Sequence, residues 1–435
     1  MKKELIVEES LVELAQIFDK NGYKLYIVGG FVRNALMGFC ETDTDICSGA
    51  KVEDVERILS GTRFSCVLIN PKLGTLHIYD ENKTVEYEHT TFRAEKYQSG
   101  GVHSPDTVEF VDDIRLDASR RDFSINAMYY DICGQEILDF YDGIECVKNR
   151  VVKTVETPEV VFSRDGLRIL RMARIASELD FAIDPNTFDT AKKLVSQLDA
   201  ISQERFNKEI VSMIFADNKY QAIANFGMQS RGVEILGQLG AWQYVLTAFY
   251  DTLDEVQKAK INNIQWNLLS ISPPALRIPC FIIDMFEGID SDPSVKQINL
   301  VLGTKGIMLN KKEAARQAQI AEAFFAVSCG KLTSQKQIRL FLQKNSGVIS
   351  ELFGLFKLAR IGDKVVYVYD LMKQDNTPLS IRDLAVDGND ILEEFPEISP
   401  CSIGQILSDL LTMCATMPEM NRREVLLDTI AQKYV

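Results

Sequence analysis

The stretch from residue 25 to residue 46 constrains the fold most, because it predicts a strand, a glycine turn and a helix in that order. Residues 25–28 are an apolar run of strand composition, and after Gly29 and Gly30 apolar residues recur with helical spacing. Glycines at such a turn let the backbone approach a ligand closely, and the N-terminus of the new helix directs unpaired N–H groups to the same place. Arg33 adds a cation capable of bidentate contacts, so the turn predicts a phosphate site.

Residues 43–47 predict a second strand that carries a pair of acidic side chains. Because side chains alternate along a strand, Asp43 and Asp45 share one face and lie about 6.6 Å apart. Two carboxylates held that close repel each other unless a cation lies between them, and Mg2+ binds through carboxylates together with substrate phosphates. An Asp-x-Asp pair by itself is also typical of a solvated strand end or turn. The glycine turn and Arg33 just before it favour the metal site.

A hairpin is predicted further along, with strands at residues 75–80 and 84–91. On its second strand Glu86 and Glu88 face away from His89, so Glu88 can reach the acidic pair from a neighbouring strand. The alternative is that both glutamates belong to a solvated face. A polar loop is predicted at residues 94–105.

Arginines stand out in two predicted helices. Residues 119–128 predict a helix that starts with Arg120 and Arg121, where the helix dipole disfavours cations, and this favours a bound anionic phosphate. In the helix at residues 164–174, the arginines at every third position form one ridge: Arg168, Arg171 and Arg174. Such a ridge is usually a solvated face, but uncompensated like charges in an acidic protein indicate an anion as partner.

Composition limits the possible functions. A chain of 435 residues with 46% hydrophobic residues can form two to four domains, and a net charge of -14 requires any polyanionic partner to meet a local basic surface. Nine cysteines without a Cys-x-x-Cys pair indicate a reducing compartment. The N-terminus predicts an amphipathic helix rather than a signal peptide, and no apolar run is long enough for a bilayer, so we expect a cytoplasmic protein without membrane contact. The oligomeric state is left open.

Together these stretches resemble the class II tRNA nucleotidyltransferases, the CCA-adding enzymes, and the related bacterial poly(A) polymerases. Four blocks carry the resemblance over about the first half of the chain, and Glu204-Arg205 is a weaker fifth. The four blocks are Gly29-Gly30-x-Val32-Arg33 with Asp43-x-Asp45, Glu88-His89-Thr90-Thr91-Phe92-Arg93, Arg120-Arg121-Asp122-Phe123-Ser124-Ile125-Asn126-Ala127, and Asp165-x-x-Arg168-Ile169-Leu170-Arg171-x-x-Arg174. Departures from the family pattern include Arg164 in place of a Glu and Asn34 in place of an Asp.

The resemblance implies an α+β fold in which a polymerase-beta-like head of mixed sheet and helices precedes an all-α neck, body and tail. The head is expected at residues 1–150, the neck with base recognition at 151–225, and the body and tail, which bind tRNA, at 226–435.

By the same resemblance, the catalytic and metal-binding carboxylates are Asp43 and Asp45, which bind Mg2+, and Glu88, which lies beside the attacking 3′-hydroxyl. The nucleotide-binding residues are Gly29, Gly30 and Arg33 for the triphosphate, Arg121, Asp122 and Asn126 for the sugar and phosphates, Asp165 and Arg168 for the base, and Arg171 and Arg174 for the rest of the pocket.

The implied function is template-independent addition of CCA to the 3′ end of tRNA from CTP and ATP, with the tRNA acceptor arm as partner. A poly(A) polymerase or a partial CC- or A-adding enzyme is the alternative within the same chemistry. A non-catalytic, nucleotide-sensing RNA-binding protein is a more distant alternative.

Overall fold

A computed structural model describes residues 1–2, 4–39, 44–96, 107–290, 292–307 and 309–435. The chain divides into two compact units, Met1–Val245 and Leu246–Val435. The predicted ligand Asp43 and residues 97–105 of the predicted loop lie outside the described residues. The finer division at residues 150 and 225 stays a prediction.

The strands of the described residues all lie in the first unit. They are β1 Tyr26–Val28, β2 Asp45–Ser48, β3 Ser65–Asn70, β4 Thr75–Tyr79, β5 Glu86–Thr91, β6 Arg93–Lys96, β7 Thr107–Phe110, β8 Met128–Asp131, β9 Glu136–Asp139, β10 Val151–Val152 and β11 Ala182–Ile183. Among the described residues, seven of them form one sheet in the order β3-β4-β5-β2-β1-β8-β9. β2 and β5 pair in parallel, and the other neighbours in this sheet pair antiparallel.

The middle of the sheet is its most buried part, since β1 and β8 are buried along their whole length. A cluster that includes Tyr26, Phe92 and Tyr129 packs on one face. The first helix buries Leu14 and Phe18, as its apolar spacing predicts.

Helices make up the rest of the first unit. They are α1 Glu9–Lys20, α2 Gly30–Met37, α3 Val52–Leu59, α4 Ile114–Ser119, α5 Gly143–Lys148, α6 Pro158–Arg164, α7 Leu167–Leu179, α8 Pro185–Lys193, α9 Gln203–Ile214, α10 Ala216–Lys219, α11 Met228–Leu239 and α12 Trp242–Val245. The packing of α7 against α9 and α11 forms the centre of the helical part.

The second unit is helical throughout its described part. It contains α13 Thr247–Tyr250, α14 Glu255–Ile261, α15 Asn267–Ile271, α16 Arg277–Gly288, α17 Val295–Leu302, α18 Lys311–Ser328, α19 Gln335–Lys344, α20 Ile349–Ala359, α21 Asp363–Gln374, α22 Gly388–Glu394, α23 Ile403–Thr416 and α24 Arg423–Tyr434. A separate apolar core near its C-terminus includes Ile391, Leu410 and Leu426. No helix in the described ranges has the length and apolarity needed to cross a bilayer.

The predicted fold class, an α+β head followed by helices, is confirmed. The predicted helix at residues 119–128 is wrong. Arg120 and Arg121 follow the C-terminus of α4, and a short 3-10 turn leads from there into β8. Besides the bonds of this turn, the backbone of the segment bonds to residues 153–155, through Ser124 N to Lys153 O at 2.8 Å and Val155 N to Asp122 O at 3.2 Å. The apolar residues of this segment are fully buried without forming an α-helix. Their spacing in the sequence nevertheless matches that of a helix.

The predicted loop at residues 94–105 also needs correction at its start. Residues 94–96 belong to β6, which pairs antiparallel with β7. Likewise, the region after residue 150 is not helical alone, since β10 pairs in parallel with β11.

Candidate active site

The glycine turn lies at the edge of the sheet where β1 ends, β2 begins and β8 begins. Gly29 has a φ of +78°, a conformation that L side chains rarely adopt, and it precedes α2 directly. Its N–H donates to Met128 O at 3.3 Å, which ties the turn to the start of β8. A Cβ at Gly29 would lie 3.9 Å from Arg121 Nη1. The N-terminus of α2 and the guanidinium of Arg121 therefore lie close together.

Two of the three predicted carboxylates lie side by side at this edge. Asp45 at the start of β2 is in register with Glu88 on the parallel strand β5, so both side chains point to the same face. Both residues are exposed, whereas Tyr87 and His89 on either side of Glu88 are buried. Glu88 also has a neighbour in His77, whose Nε2 is 3.8 Å from Oε2.

This donor set suits a hard divalent cation, because it consists of carboxylate oxygens on neighbouring strands next to the turn that was predicted to bind phosphate. In the described part of the chain, no group of three or more His, Cys, Asp or Glu side chains is arranged to hold a metal. The predicted third carboxylate, Asp43, lies outside that part.

Arg33 is buried on α2 and held from three directions. Its Nε donates to Asn34 Oδ1 at 2.9 Å, its Nη1 to Asn126 Oδ1 at 2.5 Å, and its Nη2 to the hydroxyl of Tyr220 at 2.9 Å. Among the described residues these bonds use three of the five N–H donors of a guanidinium. Sequence reasoning missed Tyr220, which is 187 residues away along the chain and matches no motif.

Arg121 is fixed beside the turn by a buried carboxylate and a phenol. It donates to the hydroxyl of Tyr129 at 2.9 Å and to Asp117 Oδ2 at 3.2 Å, and Tyr129 in turn donates to Asp117 at 2.6 Å. Burial alone raises the pKa of Asp117, but the charges of Arg120 and Arg121 outweigh it and lower this pKa to about 2. Asp117 therefore stays ionised, and sequence reasoning did not identify it.

Asp122, which lies between α4 and β8, contacts α7. Its Oδ2 accepts from Arg171 Nε at 2.8 Å and Nη2 at 2.6 Å, and its Oδ1 accepts from Asn126 Nδ2 at 3.3 Å. Burial opposes ionisation here too, but Arg171 and Arg168 hold the pKa of Asp122 well below its usual range. Since Asn126 also accepts from Arg33, one network runs from α2 to α7.

The arginine ridge on α7 is compensated by its surroundings, which corrects the expectation of unbalanced like charges. Arg168 is buried and donates to three backbone carbonyls, those of Arg120 at 2.6 Å, Val161 at 3.3 Å and Arg121 at 3.4 Å. Arg174 pairs with Glu178 at 2.9 Å and Glu209 at 2.6 Å. The nucleotide-binding roles of these arginines therefore stay predictions that no longer rest on a missing counter-charge.

Asp165 has a bidentate partner that sequence reasoning left without a role. Arg205 on α9 donates from Nη2 to Oδ2 at 2.8 Å and from Nη1 to Oδ1 at 3.3 Å. Asp165 also accepts from the N–H of Leu167 at 3.0 Å, at the start of α7. The only signal for Arg205 was the weak Glu204-Arg205 match.

A cavity of about 880 Å³ lies beside α7, α9 and α10. Its charged lining residues are Arg171, Arg174, Arg205, Lys208 and Lys219, together with Glu178 and Glu209. The lining thus carries more positive than negative side chains in a strongly acidic protein. An anionic ligand suits this space.

Comparison with known families shows what the sheet-containing part of the first unit resembles. Residues 25–153 match the model of the poly A polymerase head domain. The glycine turn, Asp45, Glu88, Arg121 and Asp122 all fall within the matched residues, whereas Asp165 and the α7 arginines lie beyond them.

Several proteins named CCA-adding enzyme are relatives of this chain. The one from Ligilactobacillus salivarius is 38% identical over 206 residues, which is 47% of this chain and 49% of the relative. The chain thus spans about half the length of such relatives at this level of identity. The CCA-adding enzyme of Staphylococcus haemolyticus is 27% identical over 86% of this chain and 85% of its own. These matches confirm the family resemblance of the sequence motifs.

Solved structures extend the likeness of fold over nearly the whole chain. The Bacillus stearothermophilus CCA-adding enzyme in complex with CTP has a TM-score of 0.68 at 21% identity, covering 97% of this chain and 96% of that one. The Thermotoga maritima CCA-adding enzyme complexed with tRNA has a TM-score of 0.62 at 18% identity, covering 98% and 96%. At these identities the likeness establishes the fold alone.

Proposed function

We propose that this protein adds CCA to the 3′ end of tRNA without a nucleic-acid template. The RNA 3′-hydroxyl attacks the alpha-phosphate of CTP or ATP, and pyrophosphate leaves. The observation that carries the proposal is the register of Asp45 with Glu88 beside the Gly29 turn, within a poly A polymerase head domain. Relatives that carry the name CCA-adding enzyme support it further.

The carboxylates of Asp43 and Asp45 would hold Mg2+, and Glu88 would complete the acidic group beside the attacking hydroxyl. Bound there, Mg2+ supplies charge stabilisation for the attacking and leaving oxygens. The N-terminus of α2, Arg33 and Arg121 are the groups available to the triphosphate. Their donors are fixed in advance by Asn126, Tyr129 and their neighbours, so little reorganisation is needed when a nucleotide binds.

Base selection would fall to Asp165 and Arg168. Cytosine and adenine each offer an exocyclic amino donor beside a ring-nitrogen acceptor, which fits a carboxylate acceptor beside a guanidinium donor. Guanine and uracil present a carbonyl where Asp165 needs a donor, which costs roughly 1 to 3 kcal/mol per mispaired group. The bidentate bond from Arg205 supports this role, because it orients both carboxylate oxygens of Asp165.

The test is extension of a tRNA that lacks its 3′ end by the purified protein with Mg2+, CTP and ATP. Asp45→Ala is expected to abolish turnover and to leave tRNA binding intact. Asp54→Ala is the matched control, because Asp54 lies on α3 of the same unit and pairs with Arg57 at the surface. Turnover by Asp45→Ala at the wild-type rate contradicts the site assignment.

Substrate choice separates the alternatives. Each nucleotide is offered singly to tRNAs that end before each of the three terminal positions, and ATP is offered to an unstructured RNA. Addition of all three residues in order supports CCA addition, whereas growth of an A tail on the unstructured RNA favours a poly(A) polymerase. Cytoplasmic location is part of the proposal, and the free thiols of the eight described cysteines support it.

A further inference from the structure

Tyr220 follows α10 and is buried against α2, far along the chain from every motif described above. Its hydroxyl accepts two hydrogen bonds, from Arg33 Nη2 at 2.9 Å and from Asn34 Nδ2 at 3.1 Å. Its ring stacks on Phe39, with centroids 5.3 Å apart and an interplanar angle of 14°. Both its polar and its apolar parts therefore contact residues at or just beyond α2.

The direction of these bonds is fixed by chemistry. Arg33 has donors only, and the Nδ2 of Asn34 is a donor, so the Tyr220 oxygen accepts from both. The Oδ1 of Asn34 accepts from Arg33 Nε at 2.9 Å. Arg33, Asn34 and Tyr220 thus form a closed triangle of hydrogen bonds, which holds Nε and Nη2 of the guanidinium while Asn126 holds Nη1.

We propose that Tyr220 is a positioning residue, which orients Arg33 for the triphosphate through its hydroxyl. The proposal rests on the proposed function of Arg33 in nucleotide binding. It also places a determinant of nucleotide affinity outside the head domain, because residues 25–153 alone lack the tyrosine.

The first variant is Tyr220→Phe, which keeps the ring on Phe39 and removes the shared acceptor. We expect Kd for CTP, measured without tRNA, and KM for CTP and ATP to rise roughly tenfold, because a hydrogen bond to a charged group is lost. The kcat is expected to change less than about twofold, since the triphosphate is held equally in ground and transition states. Wild-type values of both Kd and KM overturn the proposal.

The matched control is Tyr87→Phe. Tyr87 is also buried, and its hydroxyl also makes two hydrogen bonds, with Ser10 at 2.7 Å and Glu8 at 2.9 Å, but on the face of β5 opposite to Glu88. A similar loss of thermal stability without a change in Kd for CTP is expected. An equal rise of Kd in this control overturns the specific role of Tyr220.

The double variant Asn34→Asp with Tyr220→Phe tests the mechanism. The carboxylate removes the orphaned Nδ2 donor and offers Arg33 a second acceptor oxygen, so we expect Kd for CTP to return to within about threefold of wild type. A double variant that binds CTP no better than Tyr220→Phe overturns the proposal. CTP binding is measured without tRNA, so it tests the role of Tyr220 independently of tRNA extension. A wild-type protein that binds CTP but does not extend tRNA refutes the proposed function, and the Kd values of the variants still test the role of Tyr220.

Discussion

Asp45 lies directly opposite Glu88 on the neighbouring parallel strand, at the end of the sheet where the Gly29 turn opens onto α2. Alternation along each strand can place both acids on exposed faces. Only the pairing of β2 with β5 brings those faces together, and the two residues are separated along the chain by β3 and β4. The two acids are therefore brought together by the order of the strands in the sheet, not by the sequence of either strand alone.

Glu88→Gln is expected to lower turnover at least about a hundredfold, because the neutral amide no longer contributes charge beside the attacking hydroxyl. Glu88 is 54% exposed, so the melting temperature should stay within about 2 °C of wild type. Single-turnover addition of CTP to tRNA measures the first effect. Glu86→Gln is the matched control on the same face of β5, two residues away, and a comparable loss there rules out a special role for Glu88.

Local sequence patterns predicted the structure correctly where it depends on residues that are close together along the chain. The Gly29 turn follows from a strand that stops at glycine, and the amphipathic helix predicted at the N-terminus is observed as α1. The hairpin of β4 and β5 and the exposed face of Glu88 follow from alternation. These features depend on neighbours a few residues away, which the sequence displays directly.

Long-range partners were beyond the same reasoning. Arg205 reaches Asp165 across 40 residues, and Tyr220 reaches Arg33 across 187. The wrong prediction of a helix at Arg120 and Arg121 has a related cause. Phe123 and Ile125 are both fully buried, so this segment has no alternation of a polar and an apolar helix face. Two counter-charges for the α7 arginines, Asp122 and Glu209, come from other elements, so the ridge looked unbalanced in isolation.

Arg205→Gln is expected to weaken base selection more than catalysis. Without the bidentate guanidinium, Asp165 loses the bonds that orient its acceptor oxygens, so the preference for CTP over UTP, compared as kcat/KM, should fall about tenfold. Arg231→Gln is the control, since Arg231 pairs with Asp180 in the same unit. An unchanged CTP to UTP ratio in Arg205→Gln contradicts the orienting role.

Arg164→Met is expected to leave base selection within about twofold of wild type, although Arg164 stands next to Asp165. Its guanidinium donates to Ser119 O at 2.8 Å and pairs with Glu156 at 2.7 Å, whereas Arg168 is held by backbone carbonyls that the substitution does not touch. Arg168→Lys is the contrasting variant, because an ammonium cannot span those carbonyls. Kinetics with all four nucleoside triphosphates measure both, and a loss of selectivity in Arg164→Met contradicts this division of roles.

His89 is expected to make the stability of the protein depend on pH. Burial lowers its pKa to about 3, with Nε2 2.8 Å from Ser48 Oγ, whereas an unfolded histidine has a pKa of ~6.5. Between these two pKa values only the unfolded chain binds a proton on this imidazole. The contribution of the buried neutral His89 to the free energy of unfolding is therefore complete above pH ~6.5. It falls by up to ~1.4 kcal/mol per pH unit toward pH ~3. His89→Leu should be less stable at pH 7 and lose less stability on acidification, so thermal melts from pH 7 to pH 4 should converge; parallel curves contradict the buried neutral imidazole.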